Sequence, residues 1–406
     1  MKKLLVVLIM LLAMNASAQW VQTSFTHFYN VTDIEATDTN IYISYLQAGV
    51  FRSANNGINV IPINSGLPGL LHTISLKLYG TNLYTGNLAF GIYKTSNNGS
   101  NWFSVNNSNT DTLAVSDIEK YNQNLFIATS NGLYMSTNEG VNWINIKGNI
   151  PLSLFTKVFY FSNKLYAAAS YNNGLYCSTD FGVNWVRCYN GFPYSCNVTD
   201  YAVLNNVLFV STYQNGLYKS SDNGLTWINC TEGLSNYVIS ICTGGNMIFA
   251  GVLGIGVYYS TNYGQNWNAV NNNGYTGSFD LNCLKSNSQY LFAGTYNAGV
   301  WRRPLSEIIG IQNISTETPA KYSLSQNYPN PFNPMCNVQF SMYKAGNVRL
   351  VVYDVQGREV QTLVNEKLRA GTYEVKFDGS ALNSGVYFYK LSTEGFTETK
   401  KMTLIK

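Results

Sequence analysis

The chain has 406 residues, of which 46% are hydrophobic, 14% aromatic and only 11% charged. That apolar fraction excludes disorder, and the many Tyr, Asn, Gly and Ser residues suit a turn-rich, all-β extracellular protein better than a helical enzyme. The net charge of +4 misleads, because residues 19–304 carry 12 Lys/Arg against 12 Asp/Glu; with no basic surface to neutralise phosphates, no nucleic-acid partner is expected.

The first residues read MKKLLVVLIMLLAMNASAQW. Lys2 and Lys3 precede an apolar run over 4–14, and Ala16-Ser17-Ala18 forms a small-residue cleavage site. The run is short for a bilayer span, and no other segment approaches spanning length. Residues 1–18 are therefore expected to be a signal peptide. The mature chain then begins at Gln19, outside the cytoplasm, with no transmembrane segment.

Next comes a phrase that recurs. GLYCSTDFGVNW begins at Gly174, and related copies begin at Gly49, Gly91, Gly132, Gly216 and Gly256. A seventh start, GVWRRP, stands at Gly299, and the intervals are 42, 41, 42, 42, 40 and 43 residues. Each unit holds four short β runs separated by turn-rich pieces, as in Val198–Leu204, Val207–Thr212, Gly216–Ser220 and 227–230. Four strands per repeat of this length predict β-propeller blades. The seventh unit lacks its fourth strand, while Trp20-Val21-Gln22-Thr23 matches the fourth-strand pattern of Trp143-Ile144-Asn145-Ile146. A seven-bladed β-propeller over residues 19–304, closed by residues 19–24, is expected.

The S-T-D-x-G-x-x-W phrase resembles the Asp-box of sialidases, sortilin-type receptors and photosystem assembly-factor-like propellers. The resemblance implies the fold strongly and function weakly, since these families share little chemistry. Its residues are explicable as a hairpin cap. Ser178 and Asp180 can accept turn amides, Gly182 can take positive φ, and Trp185 covers the hairpin; Ser220, Asp222, Gly224 and Trp227 repeat the set. The third position is Asn at Asn55, Asn97, Asn138 and Asn262. A catalytic carboxylate would not be exchanged for an amide so freely.

Any site is therefore expected on the opposite face. Asp33, Asp117, Asp200 and Asp280 recur near the start of the innermost strands, and Tyr45, Tyr171, Tyr213 and Tyr296 recur three or four residues before the blade glycine. Tyrosines and amides around a funnel suit a glycan or a protein ligand, although packing between blades would also explain them. Paired carboxylates could alternatively serve a glycoside hydrolase. A third reading is a structural surface protein. The sialidase pattern is absent: the propeller has only Arg52, Arg187, Arg302 and Arg303, all beside the hairpin motifs. His27 and His72 form no metal or nucleophile pattern, so no metal and no cofactor are expected. The seven cysteines show no disulfide framework; Cys177 and Cys188 flank one turn, and bridges or buried thiols both remain open.

Residues 305–321 are polar, lack strand alternation and read as a linker. Strong alternation follows at 348–353, 373–377 and 386–391, with turn signals at Gln356-Gly357 and Asn383-Ser384-Gly385, predicting a small antiparallel β-sandwich of six or seven strands. Residues 322–406 resemble the type A C-terminal sorting domain of the type IX secretion system. The marks are Asn327-Tyr328-Pro329-Asn330-Pro331, Tyr353-Asp354-Val355-Gln356-Gly357-Arg358 and Ser384-Gly385-Val386-Tyr387; Met335-Cys336 departs from the usual Thr-led continuation. The resemblance implies recognition by the type IX machinery, cleavage by a sortase-like peptidase, and a secreted or surface-attached passenger.

Overall fold

In the computed structural model, the described residues are 20–24, 29–151, 154–171, 173–270, 280–308, 312–315, 317–368, 370–379 and 382–406. The expected signal peptide, Gln19 and His27 lie outside them. Within each repeat the chain turns back three times, so neighbouring strands pair antiparallel and build one four-stranded sheet. Blade 1 comprises Val31–Ala36, Ile41–Tyr45, Gly49–Ser53 and Ile61–Pro62, and five further sheets follow with the same strand order.

The seventh sheet is assembled from both ends of the propeller. Leu281–Ser286, Tyr290–Thr295 and Val300–Pro304 supply three strands, and Val21–Gln22 supplies the fourth. Val21 pairs with Arg302 and Gln22 with Trp301, in the closure expected from the truncated last repeat. The architecture is a seven-bladed β-propeller.

Burial explains why the blades adhere. The apolar side chains form no single core; they gather between successive blades. Tyr42, Val50 and Ile63 of blade 1 pack on Leu76, Leu83 and Trp102 of blade 2. At the seam, Val31 and Ile43 of blade 1 meet Phe292 and Val300 of blade 7. Middle strands such as Asn124–Thr129 are buried almost throughout, whereas fourth strands are two or three residues long and largely exposed. Short edges of this kind offer little backbone for unwanted pairing.

The repeated hairpin motif sits between third and fourth strands. The Ser178 hydroxyl accepts the Gly182 amide at 2.8 Å and donates to Asp180 Oδ1 at 2.7 Å, and Asp180 Oδ1 accepts the Asn184 amide at 2.9 Å. Asn138 makes the same bonds in blade 3, taking the Ser136 hydroxyl at 3.0 Å and the Asn142 amide at 2.9 Å. A side-chain oxygen is required here, not a charge. Gly182 has φ +91° and follows Phe181 at φ +54°, and a Cβ on Gly182 would lie 2.6 Å from the Ile146 carbonyl oxygen of blade 3. Both backbone freedom and close approach demand glycine there.

The tryptophan does more than cover its own hairpin. Trp185 Nε1 donates to the Ile146 carbonyl of the preceding blade at 2.8 Å; Trp143 does so to Val105 at 2.8 Å, and Trp267 to Cys230 at 2.9 Å. Each of these three indoles is a wedge that hydrogen-bonds the end of the neighbour's fourth strand. Trp20 and Trp227 are buried in the corresponding places, and their Nε1 atoms have no hydrogen-bond partner.

Beyond the propeller, a short helix at Leu305–Ile308 is followed by eight strands in two four-stranded sheets. Gln312–Ser315, Gly371–Asp378, Met335–Met342 and Ser323–Leu324 form one sheet; Glu359–Leu368, Gly346–Tyr353, Gly385–Thr393 and Phe396–Leu404 form the other. Val338, Phe340, Leu350, Val352, Phe377 and Tyr389 are among the residues of their shared core. Two expectations are corrected. The segment read wholly as linker contributes an edge strand, with Asn313 paired to Tyr373. Asn383-Ser384-Gly385 is no hairpin, because the strands on either side lie in different sheets.

Trp185→Ala removes a buried wedge and its hydrogen bond, and it should lower stability by about 3–5 kcal/mol. Asp180→Asn should leave stability nearly unchanged, since Asn already performs the role in four blades. Chemical denaturation of both variants checks the contrast.

Candidate functional site

The innermost strand of every blade borders a central channel and carries the same irregularity, a bulge two residues after its first buried residue. The register shifts between Val31 and Asp33, Thr73 and Ser75, Val115 and Asp117, and Phe155 and Lys157. It does so again between Val198 and Asp200, Val238 and Ser240, and Leu281 and Cys283. One ring of equivalent positions results: Asp33, Ser75, Asp117, Lys157, Asp200, Ser240 and Cys283. Asp280 does not belong to it. It lies before its strand, where its carbonyl accepts the Tyr296 amide, and Cys283 holds the ring position of blade 7.

An innermost strand has one unpaired edge, and the ring residues satisfy amides exposed there. Asp33 Oδ1 accepts the Ile34 amide and Oδ2 the Leu76 amide of blade 2, both at 2.8 Å. Asp117 Oδ2 accepts Val158 of blade 4 at 2.9 Å. Asp200 Oδ2 accepts both the amide of Ile241 and the hydroxyl of Ser240, and Ser240 in turn accepts the Leu284 amide. The three aspartates therefore staple blade 1 to blade 2, blade 3 to blade 4 and blade 5 to blade 6.

Lys157 supplies the opposite charge, with Nζ 3.8 Å from Asp200 Oδ1. Burial would lower its pKa, but the Asp117, Asp200 and Asp33 carboxylates together hold it above the ordinary lysine value. Burial pushes the Asp33 carboxyl up to about 6, against the pull of Lys157 and the Leu76 amide, and it also raises Asp117.

A second tier lies one step further along the strands. Lys285 meets Glu35 at 3.0 Å, and Lys77 meets Glu119 at 3.5 Å. Tyr201 reaches across the channel from blade 5, donating to Glu119 Oε2 at 2.8 Å and accepting from Lys77 Nζ at 3.0 Å; Tyr79 donates to Glu119 Oε1 at 2.5 Å. Phe159 stacks on Tyr201 with ring centroids 4.0 Å apart. The tiers enclose about 350 Å³ lined by hydroxyls, carboxylates and amines. This second tier was not anticipated, although its charges recur two residues after the ring position.

The four expected tyrosines occupy three different register positions. Tyr45 closes a middle strand, is 0% exposed and packs edge-on against Phe51 at 5.3 Å, so it is a core residue and no surface ligand contact. Tyr213 and Tyr296 are equivalent, one residue beyond their middle strands, and are 39% and 51% exposed. Tyr171, 78% exposed with φ +58°, lies one residue further along its loop. Sequence reasoning missed three partners on the links between blades: Tyr189, Tyr194 and Tyr237 are exposed. Tyr237 stands edge-on to Tyr213 at 5.5 Å, and Arg187 lies 3.8 Å over the Tyr194 ring. Links carry no repeat signature, so no periodicity could have revealed these residues.

In the sandwich, the tail motif residues are structural ties. The Asn327 amide donates to the Tyr389 hydroxyl and its Nδ2 to the Pro329 carbonyl. The Pro331 region is held by Asn330 Oδ1, which accepts Thr403 of the last strand. Asp354 accepts the Gln356 and Arg358 amides around Gly357, which has φ +77°. Gly385 pairs with Leu404, and the Tyr387 hydroxyl donates to the Asn383 carbonyl.

These features coincide with two family matches. Residues 326–406 match the secretion system C-terminal sorting domain. The chain is thus an exported β-propeller with a type IX sorting tail. Residues 75–201 match the DUF6242 beta propeller domain. No curated protein matches the sequence. Among solved structures, the extracellular domain of a hybrid two-component system of B. thetaiotaomicron is similar at 14% identity and TM-score 0.59, over 80% of this chain and 46% of that one. The chain spans less than half the length of that structure. YCF48 bound to D1 peptide is similar over 71% of this chain and 97% of its own, at 12% identity and TM-score 0.57. The WD40 beta propeller domain of Doa1 gives 12% identity and TM-score 0.57 over 70% of this chain and 96% of its own. At these identities the likeness shows the fold alone. No helix among the described residues is long and apolar enough to cross a membrane.

Because Asp33 binds its proton more tightly folded than unfolded, its contribution favours the folded state below about pH 4 and is lost as pH rises through about 6. The loss amounts to about 3 kcal/mol at most. Melting temperatures from pH 4 to 8 should therefore fall less steeply with rising pH in Asp33→Asn than in the native protein.

Proposed function

We propose that the propeller is a non-catalytic binding module for an extracellular polysaccharide, contacted by the tyrosine-bearing face of blades 4 to 7. The observation carrying this reading is the contrast between the two residue sets on that face. The ring carboxylates are committed to backbone amides and to Lys157, whereas Tyr171, Tyr194, Tyr213, Tyr237 and Tyr296 are exposed. Aromatic faces stack on sugar C–H surfaces, and such rings add little ordering cost on binding because they have only two side-chain torsions. The Asp-box hairpins serve blade cohesion on the other face. In export, residues 1–18 act as the signal peptide, and residues 322–406 engage the type IX machinery and its sortase-like peptidase.

A polysaccharide array probed with the mature full-length protein tests the binding. Tyr171→Ala and Tyr213→Ala should each weaken binding about tenfold while leaving the melting temperature unchanged. Release of reducing sugar that disappears in Asp33→Asn or Asp200→Asn would instead establish a hydrolase, and capture of a protein with no affinity for any glycan would refute the polysaccharide assignment. Deleting residues 322–406 should leave the propeller in the periplasm, as cell fractionation would show; normal surface delivery would contradict the sorting role.

A further inference from the structure

The structure holds seven cysteines, all free and all but Cys177 buried. Two of them stand apart through their positions in blade 4. Leu175 pairs with Cys188 and Cys177 with Val186 across the third and fourth strands. Residues two apart on a strand share a face, so Cys177 and Cys188 are diagonal neighbours on one side of the sheet. They point into the core between blades 4 and 5, beside Phe192, Cys196 and Trp227. Both side chains therefore enter the same apolar layer from adjacent strands. The strand bearing Cys188 has three residues and lies at the sheet edge, where the backbone movement that bridging diagonal neighbours requires meets only one paired strand. Cys230 repeats the place of Cys188 one blade later, but Lys219 stands where Cys177 would be, so no second pair of this geometry exists in blade 5.

We propose that Cys177 and Cys188 form a disulfide in the exported protein, tying the third strand of blade 4 to its fourth. An exported chain meets an oxidising environment, and the oxidant required is a disulfide donor. The half-exposed Cys177 attacks as thiolate on one donor sulfur and expels the first donor thiolate. Cys188 then attacks the Cys177 sulfur and expels the second. Two protein thiols are oxidised, one donor disulfide is reduced to two thiols, and the two protein protons pass to those leaving thiolates. The chemistry of the pair supports these roles: the Cys188 hydrogen bond holds the Cys177 thiol below its ordinary value, while that bond and burial push Cys188 up. The bond would anchor the strand leading directly into the link that bears Tyr189 and Tyr194.

Incubating the full-length protein with oxidised glutathione, followed by tryptic digestion without reductant, tests this. Cleavage at Lys164, Arg187 and Lys219 yields peptides 165–187 and 188–219. They should appear joined in the native protein and in Cys196→Ser, and separate in Cys177→Ser and Cys188→Ser. Fragmentation of the joined native species between Cys188 and Cys196 assigns the second sulfur without relying on any variant. Reduction should lower the melting temperature of the native protein by about 2–6 °C and leave that of Cys177→Ser unchanged. Free thiols throughout, a bond within peptide 188–219, or a bond from Cys177 to Cys196 would each overturn the proposal.

Discussion

The propeller depends on the apolar packing between successive blades, and at four of the seven junctions the indole of Trp102, Trp143, Trp185 or Trp267 also donates to a carbonyl of the blade before it. Trp185 and Ile146 show how the contact works: the same side chain fills the apolar gap between two sheets and satisfies a backbone acceptor at the exposed edge. Because the apolar residues of each blade are buried by those of its neighbours, no blade completes its own packing. Cohesion is therefore circular. It requires a last blade that meets the first, which Phe292 and Val31 accomplish at the seam.

The channel follows from that geometry. Seven blades closed into a ring leave the innermost strands facing one another around a channel, and their edge amides need acceptors. Asp33, Asp117 and Asp200 meet that need, and Lys157 balances their charge. Charged residues in a concave site usually suggest chemistry. Here the geometry explains their presence through backbone satisfaction, while the outward-facing tyrosines have no comparable structural duty. Tyr45 makes the same distinction from the other side, since its ring is spent on packing against Phe51.

Much of the architecture was legible in the sequence because the hairpin motif repeats at nearly constant spacing and each of its residues has a physical reason to be there. The missing fourth strand of the last repeat even located its replacement at Val21–Gln22. Register was harder to read. Asp280 resembles the ring aspartates as an acid near the start of an innermost strand, yet it stands 19 residues before its blade glycine where they stand 15 or 16, and the bulge assigns the ring position to Cys283. Tyr45 and Tyr213 are similarly close in alignment but one residue apart in register, and a single step separates a core side chain from an exposed one. The strand Gln312–Ser315 was hidden because an edge strand with one paired neighbour needs little hydrophobic alternation. Tyr194 and Tyr237 were invisible to periodic reasoning because links between blades have no shared pattern.

The pairing of Val21–Gln22 with Val300–Pro304 also sets a schedule for assembly. The partners are separated by nearly the whole length of the propeller, so this contact carries the largest loop-closure cost of any strand pair in the ring. A chain emerging from its N-terminus must keep its first strand unpaired until the last blade has appeared. The ring can then lock only once, and only at the end.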